Sequence, residues 1–215
     1  MVNCLFDFFG ESHLMPTSFY SQATFIKSAA ALTQLPDDTG FEVAFAGRSN
    51  AGKSSALNAL TNIKRLAKTS KTPGRTQLIN LFRLDDERRL VDLPGYGYAE
   101  VALKIKQAWQ ATLARYLETR QCLRGVVLLM DCRHPLKDTD ITMIDWCLKR
   151  ELPLHLLLTK ADKLSKSTLN NTVIKLKKDF ELYEGLITIG TLSVLKKHGI
   201  HELAAQLDDW FEWPN

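Results

Sequence analysis

One octapeptide constrains this chain more than anything else in it. Gly47-Arg48-Ser49-Asn50-Ala51-Gly52-Lys53-Ser54 fits the pattern G-x-x-x-x-G-K-[ST] at every fixed position. An apolar run, residues 41–46, precedes it, and a helical pattern over 54–60 follows. A strand feeding such a loop into a helix has a physical purpose. The glycines let the backbone curl until successive N–H groups point at one place, and the helix N-terminus adds its positive dipole end. That concavity suits phosphate oxygens. Lys53 is expected to reach the β- and γ-phosphates of a nucleotide, and the Ser54 hydroxyl to ligate Mg²⁺.

Beyond the loop, apolar runs alternate with helix-length segments. Residues 125–130, 153–158 and 186–189 read as strands, and about 104–120, 138–149, 166–183 and 200–211 as helices. Residues 78–84 and 89–92 read as a hairpin across the polar turn 85–88. A further helix is expected over 22–34, ending before Pro36. Alternation of this kind predicts an α/β fold with three α/β/α layers, a mostly parallel sheet and one antiparallel edge hairpin.

Length sets the domain count. With 215 residues and no repeat or linker, the chain suits one domain over 22–215, preceded by an extension over 1–21. Met15 is the expected start of translation, since residues 1–14 match no recognised pattern. The apolar fraction of 45% supplies a core, and no run approaches the ~18 apolar residues needed to cross a bilayer. Cys4, Cys122, Cys132 and Cys147 lack CxxC spacing, so reduced thiols in a cytoplasmic protein are expected. The formal charge is only +4, yet residues 43–84 hold eight Lys and Arg and no Asp or Glu. That stretch favours a polyanion, either nucleotide phosphate or an RNA backbone.

Three further motifs lie at the ends of expected strands. Asp92-Leu93-Pro94-Gly95 follows an apolar pair. There a carboxylate can hold Mg²⁺ through a water, and the Gly95 N–H can meet a γ-phosphate. Thr159-Lys160-Ala161-Asp162 follows the strand 154–158. A carboxylate accepts two hydrogen bonds from guanine N1–H and N2–H₂, a pair that adenine lacks, so Asp162 would reject ATP. Lys160 can lay its stem along the base. Leu192-Ser193-Val194 can offer backbone N–H groups to the guanine carbonyl. Between the first two motifs, Lys71 to Gln77 forms a loop whose hydroxyl could complete the Mg²⁺ shell, Thr76 being the first choice and Thr72 the second. A kinase or ATPase acting on a small molecule is the alternative reading of the phosphate loop, and residues 159–162 argue against it. His134 and His198 read as surface or capping residues rather than general bases. Trp109, Trp146, Trp210 and Trp213 read as packing.

With its motifs in this order, the chain resembles the EngB family of the TrmE–Era–EngA–EngB–Septin-like GTPases, over roughly residues 19–211. Arg133-His134-Pro135-Leu136 and the phrases at 70–82 and 91–99 extend the likeness beyond generic nucleotide motifs. The resemblance implies a Ras-like G domain that binds GTP and GDP with Mg²⁺ and hydrolyses GTP. It implies a role in assembling the large ribosomal subunit, through rRNA or ribosomal proteins, and in cell division and septation. By position it gives Gly47, Arg48, Ser49, Asn50, Ala51, Gly52, Lys53 and Ser54 to the phosphates, and Ser54, Thr76 and Asp92 to Mg²⁺. Gly74, Arg75, Thr76, Gln77 and Leu78 form a first switch, and Asp92, Leu93, Pro94 and Gly95 a second. Thr159, Lys160, Ala161, Asp162, Leu192, Ser193 and Val194 surround the base.

Two departures from the wider GTPase pattern stand out: Thr159 replaces the usual Asn, and Ser193-Val194 the more usual Ser-Ser or Ser-Ala. Tyr96, moreover, stands where Ras-type GTPases carry the glutamine that orients water. Slow intrinsic hydrolysis is therefore expected, with Lys53, Thr76 and Asn50 as the residues acting on the reaction. In related GTPases an Asn at position 50 helps hold a K⁺ beside the phosphates. A monomer without membrane insertion completes the expectation.

Overall fold

The computed structural model describes residues 17–67, 78–96 and 103–213. Residues 68–77 and 97–102 lie outside this range, so Thr72, Gly74, Arg75, Thr76 and Gln77 are not placed; neither are residues 1–16, which include the expected start at Met15.

Seven strands form one sheet: β1 (Thr24–Ala29), β2 (Phe41–Gly47), β3 (Ile79–Arg83), β4 (Arg88–Asp92), β5 (Leu123–Asp131), β6 (Leu154–Thr159) and β7 (Ile187–Leu192). Their spatial order is β1-β3-β4-β2-β5-β6-β7. β4, β2, β5, β6 and β7 pair in parallel, while β3 runs against both β4 and β1. The expected hairpin is present, but β1 lies outside it and takes the edge.

That edge strand corrects the helix expected over 22–34. Thr24, Phe25 and Ile26 are β-branched or aromatic and suit a pleated surface. β1 pairs with β3 from Thr24↔Arg83 to Ala29↔Ile79, with a register shift between Phe25 and Lys27. The Phe25 and Phe82 rings meet edge-on at 6.0 Å, and Ser28 Oγ donates to Asn80 Oδ1 at 2.7 Å. Only a short helical turn, Leu32–Gln34, remains of the expected helix. The helix expected over 166–183 also stops sooner, at Asp179, and a separate turn, Glu181–Tyr183, follows.

Alternation along the strands sorts the core into two halves. On one face Ala44, Ala46, Val91, Leu93, Val126, Leu128 and Met130 pack against α3 (Leu103–Thr119) and α4 (Asp138–Lys149), with Leu176 from α5 (Lys166–Asp179). On the other, Val43, Phe45, Leu90, Val127 and Leu129 meet α2 (Lys53–Thr61) and α6 (Ile200–Trp210). β2 and β5 are thus buried on both sides, as central parallel strands should be. Cys122, Cys132 and Cys147 are buried free thiols, and Trp109 is buried as well.

The packed body takes in residues assigned above to an N-terminal extension. α1 (Thr17–Tyr20) ends in Tyr20, which is fully buried and donates to Asp208 Oδ1 at 2.6 Å. A buried phenol needs such an acceptor, so this segment is fastened to α6.

At the start of β2 lies a buried ionic cluster. Glu42, wholly inaccessible to solvent, accepts from Arg120 at 2.7 and 3.0 Å, from Arg89 Nε at 3.0 Å and from the Tyr116 hydroxyl at 3.0 Å. The opposite ends of the parallel strands carry everything considered next.

Candidate functional site

The carboxyl ends of β2, β4, β5, β6 and β7 open on one edge of the sheet, the place where open α/β sheets receive ligands. β2 runs into the glycine-rich loop. Asn50 and Gly52 both adopt left-handed angles, φ +64° and +96°, on either side of Ala51. Left-handed residues of this kind curl the backbone into an anion-binding concavity, while the Ala51 amide closes the turn by donating to the Arg48 carbonyl at 3.0 Å. At Gly47 the constraint is contact: a Cβ there would lie 2.7 Å from the Leu129 carbonyl oxygen. α2 begins at Lys53, so the N-terminal end of the helix, with Lys53 and Ser54 in its first turn, opens on the same concavity.

Lys53 and Asp92 meet directly, Nζ to Oδ1, in a pair largely shielded from water. Asn80 Nδ2 lies 3.3 Å from the other carboxylate oxygen. The loop's lysine, which is also the first residue of α2, thus meets the end of β4, a pairing the sequence reading did not include. Leu93 is buried, while Pro94 and Gly95 are partly exposed beside the loop.

The second cluster sits two strands away. Thr159, at the end of β6, is buried and donates its hydroxyl to the Ala51 carbonyl at 2.6 Å, with the Met130 carbonyl at 3.1 Å. A residue expected to face a base thus fastens the base side to the phosphate loop. Lys160 takes a left-handed backbone, φ +56°, and its Nζ lies 3.0 Å from Asp131. Asp162 Oδ1 accepts the Ser193 hydroxyl at 2.6 Å. That bond, above all, holds the Asp162 carboxyl below the usual carboxylate range, so it is an anion at neutral pH. Ser193 also exchanges backbone hydrogen bonds with His198 at 3.0 Å in both directions, which closes the turn after β7. Its own N–H is therefore committed within the turn. His198 is a structural residue here, with Nε2 3.1 Å from the Thr191 hydroxyl.

Two acidic residues belong to the site that the motifs did not single out. Asp131 ends β5 between the two clusters and holds Arg133 at 2.7 Å and Lys160 at 3.0 Å. Arg133 keeps the Asp131 carboxyl well below its ordinary range. Its place at a strand's carboxyl end was a readable signal. Asp140, in the first turn of α4, faces Tyr96 and Arg48. Nothing in the sequence indicates that these three meet.

A glycine-rich loop after the first central strand, a carboxylate at the end of β4 and a base-side motif after β6 define a P-loop G domain. The family model described as "50S ribosome-binding GTPase" matches residues 42–160. A "Probable GTP-binding protein EngB" from Pasteurella multocida (strain Pm70) is 57% identical over 192 residues, which cover 89% of this chain and 94% of that one. Its counterpart from Glaesserella parasuis serovar 5 (strain SH0165) is 56% identical over the same length, 89% and 92% of the two chains. Among solved structures, a probable GTP-binding protein EngB aligns with a TM-score of 0.64 at 20% identity, over 80% of this chain and all of that one. The bacterial selenocysteine-specific elongation factor EF-Sec aligns with a TM-score of 0.61 at 20% identity, over 82% of this chain and 29% of that one. The chain belongs to the EngB family of GTP-binding proteins and is a GTPase.

Proposed function

We propose that this GTPase works as a nucleotide-dependent switch in assembly of the large ribosomal subunit, and through it supports cell division and septation. The observation that carries the reading is the match to the ribosome-binding GTPase model over the very residues that hold the loop, Asp92 and the start of the base motif. In this reading residues 47–54 hold the phosphates, with Lys53 on the β- and γ-positions. Asp162 takes the guanine edge, and the Val194 amide takes its carbonyl, since the Ser193 amide is committed to His198.

The donor set suits Mg²⁺, a hard cation that prefers oxygen ligands and retains water. Ser54, at the first turn of α2, and Asp92, beside Lys53, would hold it together with Thr76. When bound, the ion would neutralise charge growing on the β- and γ-phosphate oxygens. Among the described residues no helix is long and apolar enough to cross a membrane, and a cytoplasmic monomer fits the proposed role. Exposed Lys175, Lys177 and Lys178 on α5 offer one face to RNA.

Sedimentation with ribosomal subunits tests this. The form loaded with a non-hydrolysable GTP analogue should pellet with the large subunit or its precursor, and the GDP form should not. Raising salt from 50 to 200 mM should weaken that association at least tenfold, as phosphate contacts require. Equal partition of both forms would end the switch reading.

Asn50 bears on the rate. With its left-handed backbone it is an oxygen donor at the mouth of the loop, and we expect it to help seat a K⁺ that supplies positive charge beside the phosphates. Replacing Na⁺ by K⁺ should then raise steady-state turnover roughly tenfold or more, the scale of one added transition-state contact. N50A should remove the difference.

A further inference from the structure

Tyr96 follows Gly95 directly, yet its side chain turns away from the phosphate loop and into the core. It is 7% exposed and packs against Trp109 at 6.0 Å between ring centres. Burial pushes its phenol far above the usual range, so the hydroxyl keeps its proton and acts as a donor. The acceptor is Asp140 Oδ1, at 3.4 Å. Asp140 is itself completely buried, and burial raises its carboxyl. Its other oxygen accepts the Lys137 amide at 3.1 Å and lies 3.6 Å from Arg48 Nε. Arg48 Nε is buried and has no hydrogen-bond partner among the described residues; Asp140 is its ion-pair partner there.

The backbone repeats the association. The Ser49 N–H donates to the Tyr96 carbonyl at 2.9 Å, and the Tyr96 N–H to the Gly47 carbonyl at 3.4 Å. These bonds make an isolated parallel bridge between Arg48 and Tyr96, beyond the last β2–β4 pair, Phe45 with Asp92. Gly95 thereby lies against the Ser49 backbone, where a Cβ would make ordinary contact at 3.4 Å. The side chains of residues 48 and 96 converge on one carboxylate from a third element, α4.

We propose that Arg48, Tyr96 and Asp140 form a buried latch that positions Gly95 against the phosphate loop, so that Tyr96 and Asp140 are positioning residues for GTP hydrolysis. The proposal rests on the triphosphate seat described above and adds to it what fixes the second switch. A donor that must meet a developing charge works only if its place is fixed before the reaction. Gly95 has no side chain to anchor it. The residue after it supplies the anchor instead. Where a Ras-type glutamine would face the water, this chain spends the position on holding the backbone.

The latch makes contact at the third phosphate's end of the loop, so its loss should separate turnover from diphosphate binding. Y96F removes one hydroxyl and keeps the ring, and D140N keeps the volume and the acceptor for Lys137. Each should lower kcat for GTP about tenfold while GDP affinity, measured by calorimetry, stays within about twofold. The double variant should be no slower than the worse single one, because both changes remove the same interaction. Parallel losses of GDP affinity and thermal stability with kcat unchanged would show mere packing and overturn the proposal. A rise in kcat would show a brake, and additive losses would show two unrelated contacts; either overturns it. If D140N does not fold, Y96F alone decides. Failure of the unsubstituted protein to bind GTP would instead sink the proposed site, a separate result.

Discussion

Asp162→Asn should lower affinity for GTP and GDP roughly ten-thousandfold, the scale on which a site built for a hydrogen-bonding substrate rejects a mismatched partner. Guanine presents two donors on its Watson–Crick edge, N1–H and the exocyclic amine. An ionised carboxylate accepts both, and the Ser193 hydroxyl at 2.6 Å keeps Asp162 ionised and aimed. The amide of an asparagine accepts one donor and sets its own N–H₂ against the other. Xanthine carries a carbonyl where guanine carries the amine, so xanthosine triphosphate should gain affinity for the variant as GTP loses it. Competition calorimetry with the two nucleotides checks both halves. Unchanged GTP affinity would mean that the base is read elsewhere, and the site assigned to residues 159–162 would fall with it.

The second large effect concerns stability. Glu42→Ala should destabilise the fold by about 3–5 kcal/mol, as removal of one partner from a buried ionic cluster does. The carboxylate accepts from Arg120, Arg89 and Tyr116, all nearly or fully buried. Its loss removes the shared acceptor of two guanidinium groups and a phenol; Arg120 keeps the Pro36 and Asp37 carbonyls and Arg89 that of Thr39, but the Tyr116 hydroxyl loses the acceptor it had in Glu42. Urea unfolding should show the midpoint falling by roughly 1–2 M, given slopes near 2–3 kcal/mol/M for a chain of this size. Nucleotide affinity of the folded protein should hardly change. Glu42 and Gly47 stand at opposite ends of β2, about 16 Å apart at ~3.3 Å per residue. A midpoint within 0.3 M of the parent would show that the cluster contributes little.

What the sequence reveals depends on how local the cause is. The phosphate loop, Asp92 and the base motif are each contiguous, and each lands at a strand's carboxyl end as expected. The helix over 138–149 is legible to its ends, since Asp138 and Asp140 favour a first turn and Lys149 a last one. β1 is not legible in this way. Six residues of mixed character become a strand only because β3, some fifty residues later, offers an edge. Thr159 is a similar case: its type says hydroxyl, but only the fold places the Ala51 carbonyl 2.6 Å away. Asp140 looks like an ordinary helix-starting acid. Its contacts with Arg48 and Tyr96 join three segments that composition and periodicity treat independently.

The fastening of Thr159 to Ala51 has an effect on how the enzyme distinguishes its two ligands. Purine selector and phosphate grip share one hydrogen bond and stand on β6 and β2, both paired with β5, which ties them into a single platform. Such a platform greets the spent and the charged nucleotide alike, having no joint with which to tell them apart. Any sense of whether the fuel has been burnt would then come from contacts that only the extra phosphoryl group can make.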